Sequence, residues 1–239
     1  MAITSSPKNF LLFLLTGTVC GIFLDGAAQW LAKLWVYPYW NTVFYACCFV
    51  IGFGAYWLLL AETYFLAHCA FRKLSSAKAK ARHRQDPQVK TKLLCGATGL
   101  ALAALGLALA IQQYTAAGGY VFAVTAPSAV HAPFYCFLLI TAGTFLILEY
   151  VSNTPARSLL GAVRLHDWAP LCAILTAGWI TGFFMETANA AQHFWLYTNW
   201  PLPQMTFCHV PVIVLILWPI QYVVFLSAFR AFTGTAVWE

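Results

Sequence analysis

Residues 186–200 read Glu-Thr-Ala-Asn-Ala-Ala-Gln-His-Phe-Trp-Leu-Tyr-Thr-Asn-Trp, and they follow directly on a long apolar segment. A similar arrangement occurs near the start of the chain. In each copy an acidic residue ends an apolar segment, Trp-x-Tyr follows nine or ten residues later, and another Trp comes five residues after the first. The matching residues are Asp25, Trp35, Tyr37 and Trp40 in one copy and Glu186, Trp195, Tyr197 and Trp200 in the other. The sequence therefore predicts an internal repeat whose unit is a helical hairpin.

The composition is typical of a membrane protein. Hydrophobic residues make up 62% of the 239 residues and charged residues only 8%. A soluble domain carries about 25% charged residues, because water must solvate its surface, whereas surface that faces lipid needs no such charge. We therefore predict an all-α, polytopic membrane protein that forms a single membrane domain over residues 1–239.

Six apolar segments are close to the length of about 20 residues that a membrane-spanning helix needs. They are residues 9–25, 42–70, 93–113, 132–152, 169–188 and 208–230. Consecutive segments are predicted to pair into three tandem hairpins, 9–70, 93–152 and 169–230. Parallel repeats of this kind place a shared site where the repeats meet.

The distribution of positive charge predicts the orientation. The net charge is +6, and many Lys and Arg residues lie in the loop 71–92. Positive residues beside membrane spans stay in the cytoplasm. We expect a multi-pass protein of the inner (plasma) membrane with both termini and the loops 71–92 and 153–168 in the cytoplasm, and the aromatic loops 26–41, 114–131 and 189–207 outside. A basic run can also bind nucleic acid or anionic lipid. The orientation explains it sufficiently, so no nucleic acid is expected as a partner, while the bilayer and other membrane proteins are.

Metal and cofactor motifs are not found in the sequence. The eight cysteines form no Cys-x-x-Cys pair, and neither His-x-x-x-His nor Glu-x-x-His occurs. An outer cluster of His131, His193 and His209 is the remaining arrangement that could hold zinc or copper. We expect no metal and no cofactor.

Four of the seven acidic residues fall within or at the ends of the predicted spans, namely Asp25, Glu62, Glu149 and Glu186. An ionisable residue at the centre of a membrane helix costs about 2.5–3.5 kcal/mol on insertion scales, so its presence suggests a function. Glu62 and Glu149 each lie about ten residues before a basic residue of the cytoplasmic side. We expect these two to be structural or relay carboxylates that pair with Arg72, Arg157 or Arg230.

Glu186 is the best candidate for catalysis. At helical spacing Glu186, Asn189 and His193 lie on one face. A buried glutamic acid there would suit a general acid. The alternative is that this polar cluster only fixes the packing of the helices. For Asp25, the alternative to a function is ordinary solvation at the membrane surface.

The pattern resembles the small membrane-embedded lycopene cyclases of bacteria, archaea and fungi, which also consist of repeated helical units. The matching residues lie in the first and last hairpins and are Asp25, Trp35, Tyr37, Glu186, Trp195, Tyr197 and Pro211. The family carries Pro-x-Glu-Glu at the start of the second span of its unit, whereas this chain has Pro211-Val-Ile.

This resemblance implies an acid-initiated rearrangement of a double bond in an isoprenoid or carotenoid, without a redox cofactor. The implied catalytic residues are Glu186, Asp25 and His193. The implied contacts to an apolar ligand, which would enter from the bilayer, are Trp35, Tyr37, Asn189, Trp195, Tyr197 and Trp200. Two other functions are compatible with the sequence. One is a non-catalytic membrane subunit or lipid- or pigment-binding protein, and the other is a small proton-coupled transporter that uses Glu186, Glu62 and Glu149.

Overall fold

The computed structural model describes residues 6–75, 89–116, 132–151, 158–164, 166–202, 204–208 and 210–234. Within these residues six helices are long and apolar enough to cross a membrane, which confirms the predicted all-α, polytopic fold. Most of the loops 71–92 and 114–131 lies outside the described residues, as do His131, His209 and Arg157.

The long helices are α1 (Pro7–Gly26), α3 (Phe53–Ser75), α4 (Val89–Ala116), α5 (Ala132–Val151), α7 (Ala169–Gln192) and α8 (Val212–Thr233). Two short helices are α2 (Thr42–Cys47) and α6 (Leu159–Arg164). A π-helical turn, Ala27–Leu31, extends α1, and a second one, Cys48–Gly52, joins α2 to α3. Two small antiparallel pairs complete the fold: β1 (Trp35–Val36) with β2 (Leu196–Tyr197), and β3 (Thr206–Phe207) with β4 (Val210–Pro211).

The bounds of the first and last spans differ from the prediction. The first continues past Asp25 and Gly26 into the π-helical turn, where Gln29 donates a hydrogen bond to the Asp25 carboxylate one turn earlier. The last was predicted to begin at 208 but begins at Val212, since the preceding residues form the β3–β4 pair and Pro211 provides no backbone N–H.

Helices that follow one another along the chain pack together as hairpins: α1 with α3, α4 with α5, and α7 with α8. The helices α1, α3, α7 and α8 also contact each other around a bundle, because α3 packs on α7 and α1 on α8. The second hairpin joins this bundle through α5, which packs on α8.

Aromatic side chains fill the half of the bundle near the start of α1. Trp57 stacks on Phe225 with ring centroids 4.2 Å apart, and Phe13 meets the edges of Phe225 and Phe229 at 5.2 Å. All four side chains are almost fully buried. Among the described residues this half of the bundle is therefore closely packed.

An ion pair connects α5 to α8 at the same end. The Arg230 Nη2 atom lies 2.9 Å from the Glu149 Oε1 atom, and the other carboxylate oxygen accepts the Leu160 backbone N–H at 3.0 Å. Both side chains are buried. A buried charge needs a partner of opposite charge, and each of these two residues provides it for the other. Glu62 is not buried as Glu149 is, since the Glu62 side chain is exposed on α3.

The closest helix contact occurs between α4 and α5. A Cβ atom on Gly143 would lie 2.5 Å from the Ala103 nitrogen and 2.6 Å from the Gly99 oxygen. Because these neighbours are backbone atoms, they cannot move aside as a flexible side chain would. Small residues allow such backbone contact between membrane helices.

We predict that Gly143→Ala separates α4 from α5 and lowers the free energy of unfolding by about 1–3 kcal/mol, the usual cost of overpacking. Gly52→Ala is the matched control, since its Cβ would meet only the Cys48 Cβ atom at 3.9 Å. Thermal unfolding in detergent measures both. Equal unfolding temperatures for the two variants would contradict the packing.

Candidate functional site

The two loops that follow the carboxylates meet at one end of the bundle, which we call the aromatic end (residues 32–41 and 193–211). Strands β1 and β2 pair there, with Trp35 opposite Tyr197. Further bonds run to the first loop: the Trp200 indole N–H donates to the Leu34 oxygen at 2.8 Å, and the Asn199 amide donates to the Lys33 oxygen at 3.0 Å. Residues from distant parts of the chain are thereby held in one layer.

Asp25 is buried at the end of α1 and accepts four hydrogen bonds. Its Oδ1 atom accepts from the Trp35 indole at 2.9 Å and the Tyr37 hydroxyl at 2.7 Å. Its Oδ2 atom accepts from the Tyr45 hydroxyl at 2.9 Å and from the Gln29 amide. All four partners are donors, a set that matches an ionised carboxylate, which can only accept.

Glu186 lies fully buried on α7, in a sparser environment. The Tyr197 hydroxyl donates to its Oε1 atom, and the Trp195 indole in turn donates to the Tyr197 oxygen at 2.9 Å. The Oε2 atom is buried without a hydrogen-bond partner among the described residues, although the Trp218 indole lies near the carboxyl group. This environment matches a protonated acid better than a charged one.

The tyrosine hydroxyls at the aromatic end remain donors. Burial raises the pKa of Tyr197 well above its ordinary value, and the neighbouring Glu186 adds to this effect. Burial and the nearby Asp25 raise the pKa of Tyr37 in the same way. Both hydroxyls therefore keep their protons at neutral pH.

The structure places Asn189 and His193 at the end of α7. The Asn189 side chain accepts the Trp195 backbone N–H at 2.9 Å and donates to the Trp195 oxygen at 3.1 Å, so it holds the loop that follows the helix. Helix α7 ends at Gln192, and His193 takes a left-handed conformation that caps it. The His193 side chain is exposed and does not continue the face of Glu186 and Asn189.

A cavity of about 280 Å³ lies beneath this layer, and we call it the aromatic cavity. Its wall at the aromatic end contains five of the predicted residues together with Asp25: Trp35, Tyr37, Trp195, Tyr197 and Trp200. The remainder of its wall is formed by residues of α3, α5, α7 and α8, including Phe53, Tyr56, Phe134, Met185 and Trp218. Asp25 is thus in contact with the cavity, whereas Glu186 lies behind Tyr197.

Several residues of this site are not found by sequence reasoning. Gln29 and Tyr45 complete the shell around Asp25, and Tyr56 forms a hydroxyl–hydroxyl hydrogen bond with Tyr222 across the bundle. Gln29 stands four residues after Asp25, a helical spacing that would have identified it had the helix been extended. Nothing in the sequence indicates the distant pairing of Tyr56 with Tyr222.

Within the described residues no group of three or more His, Cys, Asp and Glu side chains is arranged to hold a metal ion. Comparisons with family models, with curated proteins and with solved structures returned no match to this chain. The site must therefore be interpreted from its own geometry.

We expect Asn189→Ala to lower the free energy of unfolding by about 1–3 kcal/mol, because it leaves the Trp195 backbone groups without their partners. Gln192→Ala is the control, since Gln192 is exposed one turn later on the same helix. Thermal unfolding and the accessibility of Trp195 to a fluorescence quencher measure the effect. An Asn189→Ala protein as stable as the control would show that the two hydrogen bonds between Asn189 and the Trp195 backbone are dispensable.

Proposed function

We propose that the protein is a membrane enzyme that rearranges a double bond of an apolar isoprenoid or carotenoid by adding and removing a proton. The observation that carries this proposal is the aromatic cavity, a mostly apolar space that Asp25 lines directly and that Glu186 adjoins through its hydrogen bond with Tyr197. Its volume is just below the range of about 300–1,000 Å³ of small-molecule sites, which suits one end of a long chain. The motif resemblance to lycopene cyclases supports the same class of chemistry.

The two carboxyl groups receive different roles. Glu186 has one donor and acts as the acid, whereas Asp25 has four donors and acts as the base. Paired titratable groups in contrasting environments are the usual basis for such an assignment. Because Glu186 lies behind Tyr197, its proton reaches the ligand through that hydroxyl. The Tyr197 hydroxyl, which donates to Glu186 in the free protein, turns toward the ligand, donates its proton to the double bond and receives a proton from Glu186.

The reaction balances without an oxidant or reductant. The proton adds to one alkene carbon and leaves a carbocation on the other, and loss of a proton from a neighbouring carbon to Asp25 restores a double bond at a new position or closes a ring. One proton has then passed from Glu186 to Asp25. Before the next turnover Asp25 releases a proton to solvent water at the aromatic end and Glu186 takes one up from the same solvent, so that the net reaction is an isomerisation. Aromatic faces of the cavity wall stabilise the cation in between.

The entrance that we propose lies between α3 and α5. Both helices line the cavity, through Tyr56 and Phe134 among others, yet they are not among the closely packed pairs of the described helices. The loops at the aromatic end are joined by hydrogen bonds, so an apolar ligand reaches the cavity most directly from the bilayer.

The internal repeat is part of the proposal. The hairpins α1–α3 and α7–α8 each present an acid near the end of the first helix, followed by a Trp and a Tyr that belong to one hydrogen-bond network with that acid. The antiparallel pairing of β1 with β2 supports an approximate twofold relation between the two units. The units have diverged, because Trp35 bonds to the acid directly and Trp195 bonds to the tyrosine.

We expect Glu186→Gln to lower product formation by about 10²–10⁴-fold, the usual contribution of a general acid. Glutamine keeps the shape and can still bond to Tyr197, so folding should be retained. Asp25→Asn should give a similar loss. Glu62→Gln is the matched control, since this carboxylate is exposed on α3, away from the cavity.

The measurement uses membranes containing the protein and an acyclic carotenoid in deuterated water, with product identified by chromatography and mass spectrometry. Addition of a proton from the acid introduces one deuterium per product molecule. Unchanged activity and stability of Glu186→Gln would remove Glu186 from the mechanism. A protein that binds the carotenoid but returns it unaltered and without deuterium would be a carrier instead of an enzyme.

We further propose that the aromatic end faces outward from the plasma membrane. The opposite end of the bundle, where α3 ends with Arg72 and Lys73, then faces the cytoplasm. An impermeant maleimide should therefore label a variant that retains only Cys208, which is exposed at the aromatic end, in intact cells. A variant whose sole thiol is introduced by Lys73→Cys should react only after the membrane is permeabilised. Labelling at position 73 but not at Cys208 in intact cells would show that the protein has the opposite topology.

A further inference from the structure

The aromatic cavity has a polar region that the proposed chemistry does not use. Thr141 on α5 and Gln221 on α8 both line the cavity, and the two helices pack together. Each residue stands about half-way along its helix. Thr141 lies roughly 13 Å from the start of α5 at about 1.5 Å per residue, so this region is well inside the membrane.

The hydroxyl group of Thr141 is unusual for a threonine in a helix. Its oxygen is buried and has no hydrogen-bond partner among the described residues. Threonine hydroxyls in helices commonly donate to the backbone oxygen of the preceding turn, as Thr63, Thr181 and Thr233 do here. Burial of an unpaired hydroxyl is unfavourable, which makes its retention beside a cavity informative.

Gln221 adds a complementary group. Its side chain is half-buried, and an amide both donates and accepts hydrogen bonds. At the aromatic end, by contrast, the polar atoms of Asp25, Tyr37 and Tyr197 are already bonded within the protein. A ligand that is entirely hydrocarbon would leave the Thr141 hydroxyl without a partner, whereas Gln221 also interacts with the Tyr222 hydroxyl.

We infer that Thr141 and Gln221 form a polar subsite that binds an oxygen substituent, a hydroxyl or carbonyl group, of an otherwise apolar ligand. The oxygen is then held near the middle of the membrane, while another part of the same ligand lies beside Asp25 and Tyr197. The substrate class becomes an oxygenated isoprenoid or carotenoid. This inference rests on the proposed function only in taking the cavity as the ligand site.

The test measures binding rather than turnover. Purified protein in nanodiscs is titrated with geranylgeraniol, with the corresponding aldehyde, and with the hydrocarbon that lacks oxygen, and quenching of tryptophan fluorescence gives the dissociation constants. We expect at least one oxygenated probe to bind more tightly than the hydrocarbon by roughly 2- to 10-fold, the value of one neutral hydrogen bond. Tighter binding of the alcohol or of the aldehyde shows whether the subsite prefers a hydroxyl or a carbonyl group on the ligand.

Thr141→Val should remove this preference while binding of the hydrocarbon is retained or improved, and Thr141→Ser should keep it. Gln221→Leu should weaken it. Thr144→Val is the matched control, because Thr144 lies on the same helix but does not line the cavity. Since the hydroxyl is unpaired in the free protein, Thr141→Val should leave the unfolding temperature unchanged or raise it.

The outcomes separate the two proposals. Equal binding of all three probes, unaffected by Thr141→Val, overturns the polar subsite and leaves the proposed function intact. A lower unfolding temperature for Thr141→Val, beyond that of the control, shows that the hydroxyl has a structural partner and also overturns the subsite. If no probe binds, the isoprenoid class of ligand fails, and the subsite fails with it.

Discussion

The structure depends on the absence of water from the membrane interior, which forces polar groups there to find partners within the protein. Asp25 shows the consequence. Its four donors come from the π-helical turn after α1, from the following loop and from α2, so one carboxylate fixes the π-helical extension, the course of the loop and the entry into the second span. Removing the acid would leave four donors without an acceptor, which explains how so few charged residues can organise the aromatic end.

The two acidic residues begin from the same sequence pattern and reach different environments. One residue of spacing separates them, since Trp-x-Tyr starts ten residues after Asp25 and nine after Glu186. In the first unit Trp35 and Tyr37 both reach the acid, whereas in the second only Tyr197 does, and Trp195 bonds to the tyrosine. A difference in hydrogen bonding thus makes Glu186 a candidate acid and Asp25 a candidate base, although the two residues lie in similar hairpins.

Much of the fold could be predicted from the sequence, because apolar length and the paired segments report directly on spans and hairpins. The residues around Asp25 and Glu186 could also be gathered from the recurring Trp-x-Tyr. The end of α7 could not, since the spacing that places His193 on the face of Glu186 assumes a helix that in fact ends at Gln192. The shared cavity was beyond sequence reasoning for a different reason. It depends on α5, whose contribution through Phe134 and Thr141 follows from the packing of the second hairpin on α8 and not from any motif.

The hydrogen bonds to the carboxyl groups also determine how the cavity is lined. Trp35, Tyr37 and Tyr197 each carry one polar atom at the edge of an apolar ring, and in each case that atom is directed to a carboxyl group. The ring must then present its remaining surface to the neighbouring space, which is the cavity. The same side chains therefore provide hydrogen bonds to the acids and form the aromatic wall of the cavity. In the proposed reaction, a carbocation formed beside that wall would be sheltered from water by the joined loops and stabilised by the ring faces, with Asp25 at the cavity and Glu186 behind Tyr197.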